Sequence, residues 1–222
     1  MRVFNAVWQA CWPVLLYGFM IDFTSALCRD GGTLSGTFAG AFLAIPVFGW
    51  LYGSMPGRLF DMNRGKSGEK GDAPESGERF GLKDGIFCIV TGIAVCAAVN
   101  TLIMASPLPG YFTGFSSAAE KLYGSSLLFQ AGAVGMVIPG AEELVFRGLV
   151  FGGLRKKYPF ALAACMSAAV FGIYHGNLLQ GIYGFVMGNV LAWGMEKKRT
   201  IKAPVLMHMA ANLTSVILTA VI

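Results

Sequence analysis

Six long stretches of this 222-residue chain contain no Asp, Glu, Lys or Arg: Val3–Ile21, Gly31–Gly57, Gly85–Ala119, Leu122–Ala141, Tyr158–Met195 and Ala203–Ile222. A helix needs about 20 mostly apolar residues to cross a bilayer. Several of these stretches fit one span, and Tyr158–Met195 is long enough for two. Backbone inside a membrane must satisfy its own hydrogen bonds, so the spans should be helices. A β-barrel would need short segments of alternating polarity, whereas these runs are continuous. Composition agrees. Charged residues make up 13% of the chain and hydrophobic residues 55%, where a soluble domain carries about 25% charged residues. Mean hydropathy is +0.61. A cytosolic enzyme, a disordered chain and a secreted disulfide scaffold are all poorly matched. The expected fold is all-α, a polytopic transmembrane bundle of about seven or eight helices, with residues 1–222 forming a single integral membrane domain. Seven spans are placed at roughly 5–27, 34–53, 86–105, 124–154, 159–175, 177–195 and 203–222.

The charges that remain define an orientation. Counted loop by loop, fourteen Lys and Arg fall on one side of these spans and two on the other, with Arg147 inside a span. The positive-inside rule puts the richer side in the cytoplasm. The expected topology in the cell membrane therefore has the N-terminus cytoplasmic and the C-terminus outside. The same placement explains the pI near 9.0, so nucleic acid is not an expected partner. Residues 54–85 read as a flexible cytoplasmic loop, because Gly65–Gly81 is rich in Gly, Ser, Lys and Glu. Ser106-Pro107-Leu108-Pro109-Gly110 should break the third helix. Ser25-Ala26-Leu27-Cys28 is a poor signal-cleavage site and more spans follow, so the first run reads as a retained helix. Gly36-xxx-Gly40 and Gly184-xxx-Gly188 are spacings that let helices approach closely. The five cysteines are scattered without metal-type spacing and read as packing residues. No internal repeat is evident, which weakens a transporter reading.

Ionisable groups inside a membrane are costly and mark function. Within the spans they are Asp22, Glu142, Glu143, Arg147, His175 and His208. Asp22 lies near the outer end of the first span and reads as interfacial. Glu143 and Arg147 stand four residues apart and can pair on one helix face, which reads first as a structural lock. Glu142 points elsewhere on the helix and is left without a local partner. A buried acid without a partner is too costly to keep for packing alone and suits proton transfer to or from water. The chain has only two histidines, His175 and His208, both in apolar helices, and Asn212 lies one turn beyond His208 on the same face. Glu, two His and an Asn can activate a water through a metal, or without one, with Glu–His as the base and His–Asn steadying an oxyanion.

EExxxR (Glu142–Arg147), FxxxH (Phe171–His175) and HxxxN (His208–Asn212) occur in that order on successive late helices. This pattern resembles the CPBP family of intramembrane proteases, the Abi or type II CAAX prenyl endopeptidase group, over residues 125–222. The resemblance implies a CPBP-like catalytic region and an intramembrane endopeptidase that hydrolyses peptide bonds of a membrane-associated protein or peptide. Glu142 would be the catalytic acid acting on water and His175 its partner. His208 and Asn212 would bind a metal or stabilise the oxyanion, and Glu143 and Arg147 would be supporting residues. If the enzyme depends on a divalent metal such as zinc, Glu142, His175 and His208 are the ligands implied. No HExxH motif is present. The other readings are a catalytically silent membrane scaffold or bacteriocin self-immunity protein of the same family, and a small membrane transporter. Helical rise sets one condition on a shared site. At about 1.5 Å per residue, His208 and Glu142 lie at different distances from the cytoplasmic ends of their helices, so helices four and five must protrude or tilt.

Overall fold

A computed structural model of the chain describes residues 2–28, 32–55, 80–108 and 125–221. Among these residues the regular structure is all helix, with no strand. The helices are α1 (Arg2–Leu27), α2 (Gly32–Ser54), α3 (Leu82–Ala105), α4 (127–155), α5 (Phe160–Tyr174), α6 (Leu178–Lys198) and α7 (Lys202–Val221). Five of them, α1, α2, α3, α6 and α7, are long and apolar enough to cross a membrane. Helix α5 is apolar but has 15 residues, about 22 Å at the α-helical rise. The expected all-α bundle is what forms. The central segment of the 54–85 loop, residues 56–79, lies outside the described residues, as does most of the outer loop, 109–124.

One boundary moves. Helix α3 starts at Leu82, four residues ahead of the expected start at 86. Asp84 in its first turn accepts the Gly81 N–H at 3.0 Å, which satisfies one of the donors orphaned at a helix start. Helix α3 ends at Ala105, where the Ser106 hydroxyl donates to the Ile103 carbonyl at 2.6 Å and Pro107 follows.

Helix α4 is the axis of the bundle, with α1, α2, α5, α6 and α7 packed around it and α3 lying on α6 and α7. Lipid tails are as apolar as leucine, so helices in a membrane associate through close packing rather than solvent exclusion. Both small-residue spacings sit at such crossings. A Cβ on Gly36 or Gly40 of α2 would collide with Ser25, Thr24 or Ile21 of α1, and one on Gly188 of α6 would press on Ala168 of α5. Thr24 Oγ1 also donates to the Gly36 carbonyl at 2.8 Å. Trp8, Leu15, Phe19 and Phe23 stand exposed along α1, as side chains facing lipid do. All five cysteines are free thiols.

The helix ends that carry the basic clusters meet. Lys198 at the end of α6 pairs with Asp84 at the start of α3 at 2.6 Å. Arg155 at the end of α4 grips Glu196 of α6 through Nε and Nη2 at 3.2 and 3.0 Å.

Candidate functional site

The site is built on an irregular helix. Helix α4 runs as α-helix through Leu127–Gly132, π-helix through Ala133–Val137, α-helix through Ile138–Glu143, π-helix through Leu144–Phe151, and α-helix through Gly152–Arg155. The wider π turns frequently mark functional sites. They also leave carbonyl oxygens that a bilayer cannot satisfy, so other helices must. Asn212 Nδ2 of α7 donates to the Val134 carbonyl at 2.9 Å, and Ser167 Oγ of α5 to the Phe146 carbonyl at 3.1 Å. Gln9 Nε2 of α1 reaches the Leu149 carbonyl at 3.5 Å. Glu142 and Glu143 end the short α-helical segment between the two π stretches.

Glu143 is the node of the charged cluster. It and Arg147 are fully buried. Its Oε1 accepts from Arg147 Nη1 at 2.8 Å and from His208 Nδ1 at 2.7 Å. A carboxylate only accepts, so His208 carries its proton on Nδ1. The opposite nitrogen, Nε2, then faces Oε2 of Glu142 at 3.8 Å. The Arg147 guanidinium lies over the Phe171 ring, 4.3 Å from its centroid, in a cation–π contact. The same ring meets His175 and His208 edge to face at 4.7 and 5.6 Å. Phe171 therefore holds the basic groups of three helices around one aromatic core.

His175 follows the last residue of α5. Gly176 comes next with φ +64°, a left-handed turn suited to glycine, and the Asn177 carboxamide caps α6 by accepting from the Leu179 N–H at 3.0 Å. The His175 ring is fixed by its Nδ1, which donates to the Phe171 carbonyl at 2.8 Å. In its neutral form its Nε2 is therefore the acceptor. His175 and His208 both lie within electrostatic reach of the Glu142 carboxylate.

The geometry brings Glu142, Glu143, Arg147, His175 and His208 into one neighbourhood, despite their different heights along their helices. Asn212 shares the α4-facing side of α7 with His208, but its amide serves the Val134 carbonyl. Asp22 is exposed on α1. For a metal, both imidazoles are held through Nδ1, the pattern found behind metal-binding histidines. Yet among the described residues no three His, Cys, Asp or Glu side chains are placed to hold one ion. The implied set Glu142, His175 and His208 is not assembled as a ligand group. Sequence reasoning paired Glu143 with Arg147 and missed its bond to His208, for which a single sequence carries no signal.

The fold is that of a polytopic helical membrane protein with Glu142, Glu143, Arg147 and His208 clustered in its interior. Residues 124–214 match the family model described as type II CAAX prenyl endopeptidase Rce1-like. This bears out the family resemblance read from EExxxR, FxxxH and HxxxN. The chain is 28% identical over 152 residues to "Putative membrane peptidase YdiL" of Bacillus subtilis (strain 168), covering 65% of this chain and 62% of that protein. It is 23% identical over 116 residues to "UPF0177 protein YxdF" of Lactococcus lactis subsp. lactis (strain IL1403), covering 52% and 64%. The match thus spans less than two thirds of either relative. No solved structure matches.

Proposed function

We propose that this protein is an intramembrane endopeptidase in which Glu142 activates water to hydrolyse a peptide bond of a membrane-associated protein or peptide. One observation carries this reading. His208 Nε2 and Glu142 Oε2 stand 3.8 Å apart with Glu143 holding the far side of the imidazole. That separation is too long for a direct hydrogen bond and suits one water donating to both. Glu142 takes the proton as the water oxygen attacks the carbonyl carbon. The C=O electron pair moves to oxygen, then returns as the C–N bond breaks, and the leaving nitrogen takes the proton from Glu142. The products are a carboxylic acid and an amine. Glu143 and Arg147 are positioning residues for His208, and His175 sits beside the Glu142 carboxylate as its second imidazole.

The basic helix ends are read as cytoplasmic, in keeping with their excess of Lys and Arg.

The test compares membranes from cells that make the wild-type protein or Glu142→Gln at equal levels. A fragment formed only with the wild type is expected, and its termini map the cleavage site. Loss of a general base costs about 10²–10⁴-fold in rate. Identical fragment sets would overturn the reading in favour of a non-catalytic membrane scaffold.

A further inference from the structure

Helices α3 and α6 pack side by side, and their outer seam is apolar. Phe87 of α3 and Trp193 of α6 meet across it with ring centroids 6.1 Å apart, and both are exposed. Val90 follows Phe87 by three residues and Val186 precedes Trp193 by seven, so each continues its partner's helix face. Both valines are exposed as well. The seam is therefore a strip of apolar wall that ends, at the basic end of the bundle, in an aromatic pair. Aromatic residues of this kind are enriched where bilayer meets water.

Two cations converge on that pair. The Lys197 ammonium lies over both rings, 4.7 Å from the Trp193 centroid and 5.1 Å from that of Phe87. The Lys198 ammonium lies 4.9 Å from the same Phe87 centroid. One carboxylate serves the two, since Asp84 pairs with Lys198 at 2.6 Å. Glu196, the other acid at this end of α6, is held by Arg155. Among the described residues Lys197 makes no ion pair, and Lys83 and Lys202 add exposed positive charge at the adjoining ends of α3 and α7. A long lysine side chain can carry its ammonium out to water, whereas that of Lys197 rests on rings at the top of the apolar strip. Its three N–H donors have only ring faces near them.

We propose that the α3–α6 seam binds one anionic phospholipid, its phosphate on the Lys197 ammonium beside Lys198 and one acyl chain along Phe87, Val90, Trp193 and Val186. A free anion would match the charge and leave the strip bare, and a zwitterionic lipid would match the strip and bring its own cation to the lysines. An anionic lipid complements both at once. Basic pockets between spanning helices are suited to such headgroups. The proposal stands apart from the peptidase reading, because it uses no residue of the Glu142 cluster.

The full chain in detergent is titrated with phosphatidylglycerol or with phosphatidylcholine of the same acyl chains. Bound lipid is counted by native mass spectrometry, with thermal unfolding followed in parallel. One phosphatidylglycerol per chain should be retained in preference to phosphatidylcholine. Lys197→Gln should weaken that binding about five-fold, the contribution of one lysine at an anionic surface, with the lipid-free Tm unchanged. Lys197→Arg should keep it. Lys157→Gln, at the same end of the bundle but on the end of α4, should leave it intact, and glycerol 1-phosphate should not displace the lipid. Equal affinity for the two lipids would overturn the proposal. Equal weakening by Lys157→Gln and Lys197→Gln would do so too, since the attraction would then be diffuse charge without a site. Displacement by glycerol 1-phosphate would show an anion site that takes no lipid, and would equally overturn it.

Discussion

Glu143 ties α4 to α7 in the interior. One oxygen serves both a cation on its own helix and an imidazole on another. Breaking a buried ion pair by removing one partner leaves an uncompensated charge and costs about 3–5 kcal/mol. Arg147→Met should therefore lower the unfolding temperature in detergent markedly. Adding Glu143→Gln should recover part of that stability, since the orphaned charge is removed, yet activity should stay low because His208 loses its anchor. A double-mutant cycle on Tm and on cleavage rate separates the two effects; recovery of activity along with stability would refute the positioning role. The EExxxR spacing made the Glu143–Arg147 contact legible, because four residues on a helix are neighbours. The bond to His208 joins positions 65 apart, and no spacing rule reaches that far.

At the scale of elements, two devices set the site. The π turns of α4 turn polar side chains of α1, α5 and α7 into ligands for its carbonyls, which locks those helices in rotation about it. Glycine contacts set the separations. A Cβ on Gly92 of α3 would overlap the Met207 carbonyl of α7, next to His208. Forcing extra atoms into a packed crossing costs about 1–3 kcal/mol. Gly92→Ala should thus lower Tm and also reduce cleavage by shifting His208 away from Glu142. An alanine variant with wild-type Tm and rate would show that α3 does not brace α7. The helices themselves were legible from charge-free runs, and α3 was misplaced only at its start. The π turns were not legible, because residues 133–151 read as an ordinary apolar helix with a charged insert.

For the whole molecule, the basic ends of α4, α6 and α7 gather with the start of α3 at one end of the bundle, tied by the Lys198–Asp84 and Arg155–Glu196 pairs. Such partly exposed pairs contribute little stability, about 0–1 kcal/mol each, so their location says more about orientation than about strength. The proposed topology predicts that alkaline phosphatase fused after Ile222 is active and that the same enzyme fused after Lys157 is inactive. The reverse pattern would invert the orientation.

Backbone chemistry in a bilayer is local, so the sequence alone determined that the chain is helical, where its helices run and which few polar side chains lie buried. The three late motifs, being local patterns, also pointed to their family. Which of those side chains face one another depends on helix rotation and separation. These follow from glycine crossings and π turns packed among helices far apart in the chain. Only the tertiary structure therefore decided that Glu143 anchors His208 and that Asn212 serves a backbone carbonyl.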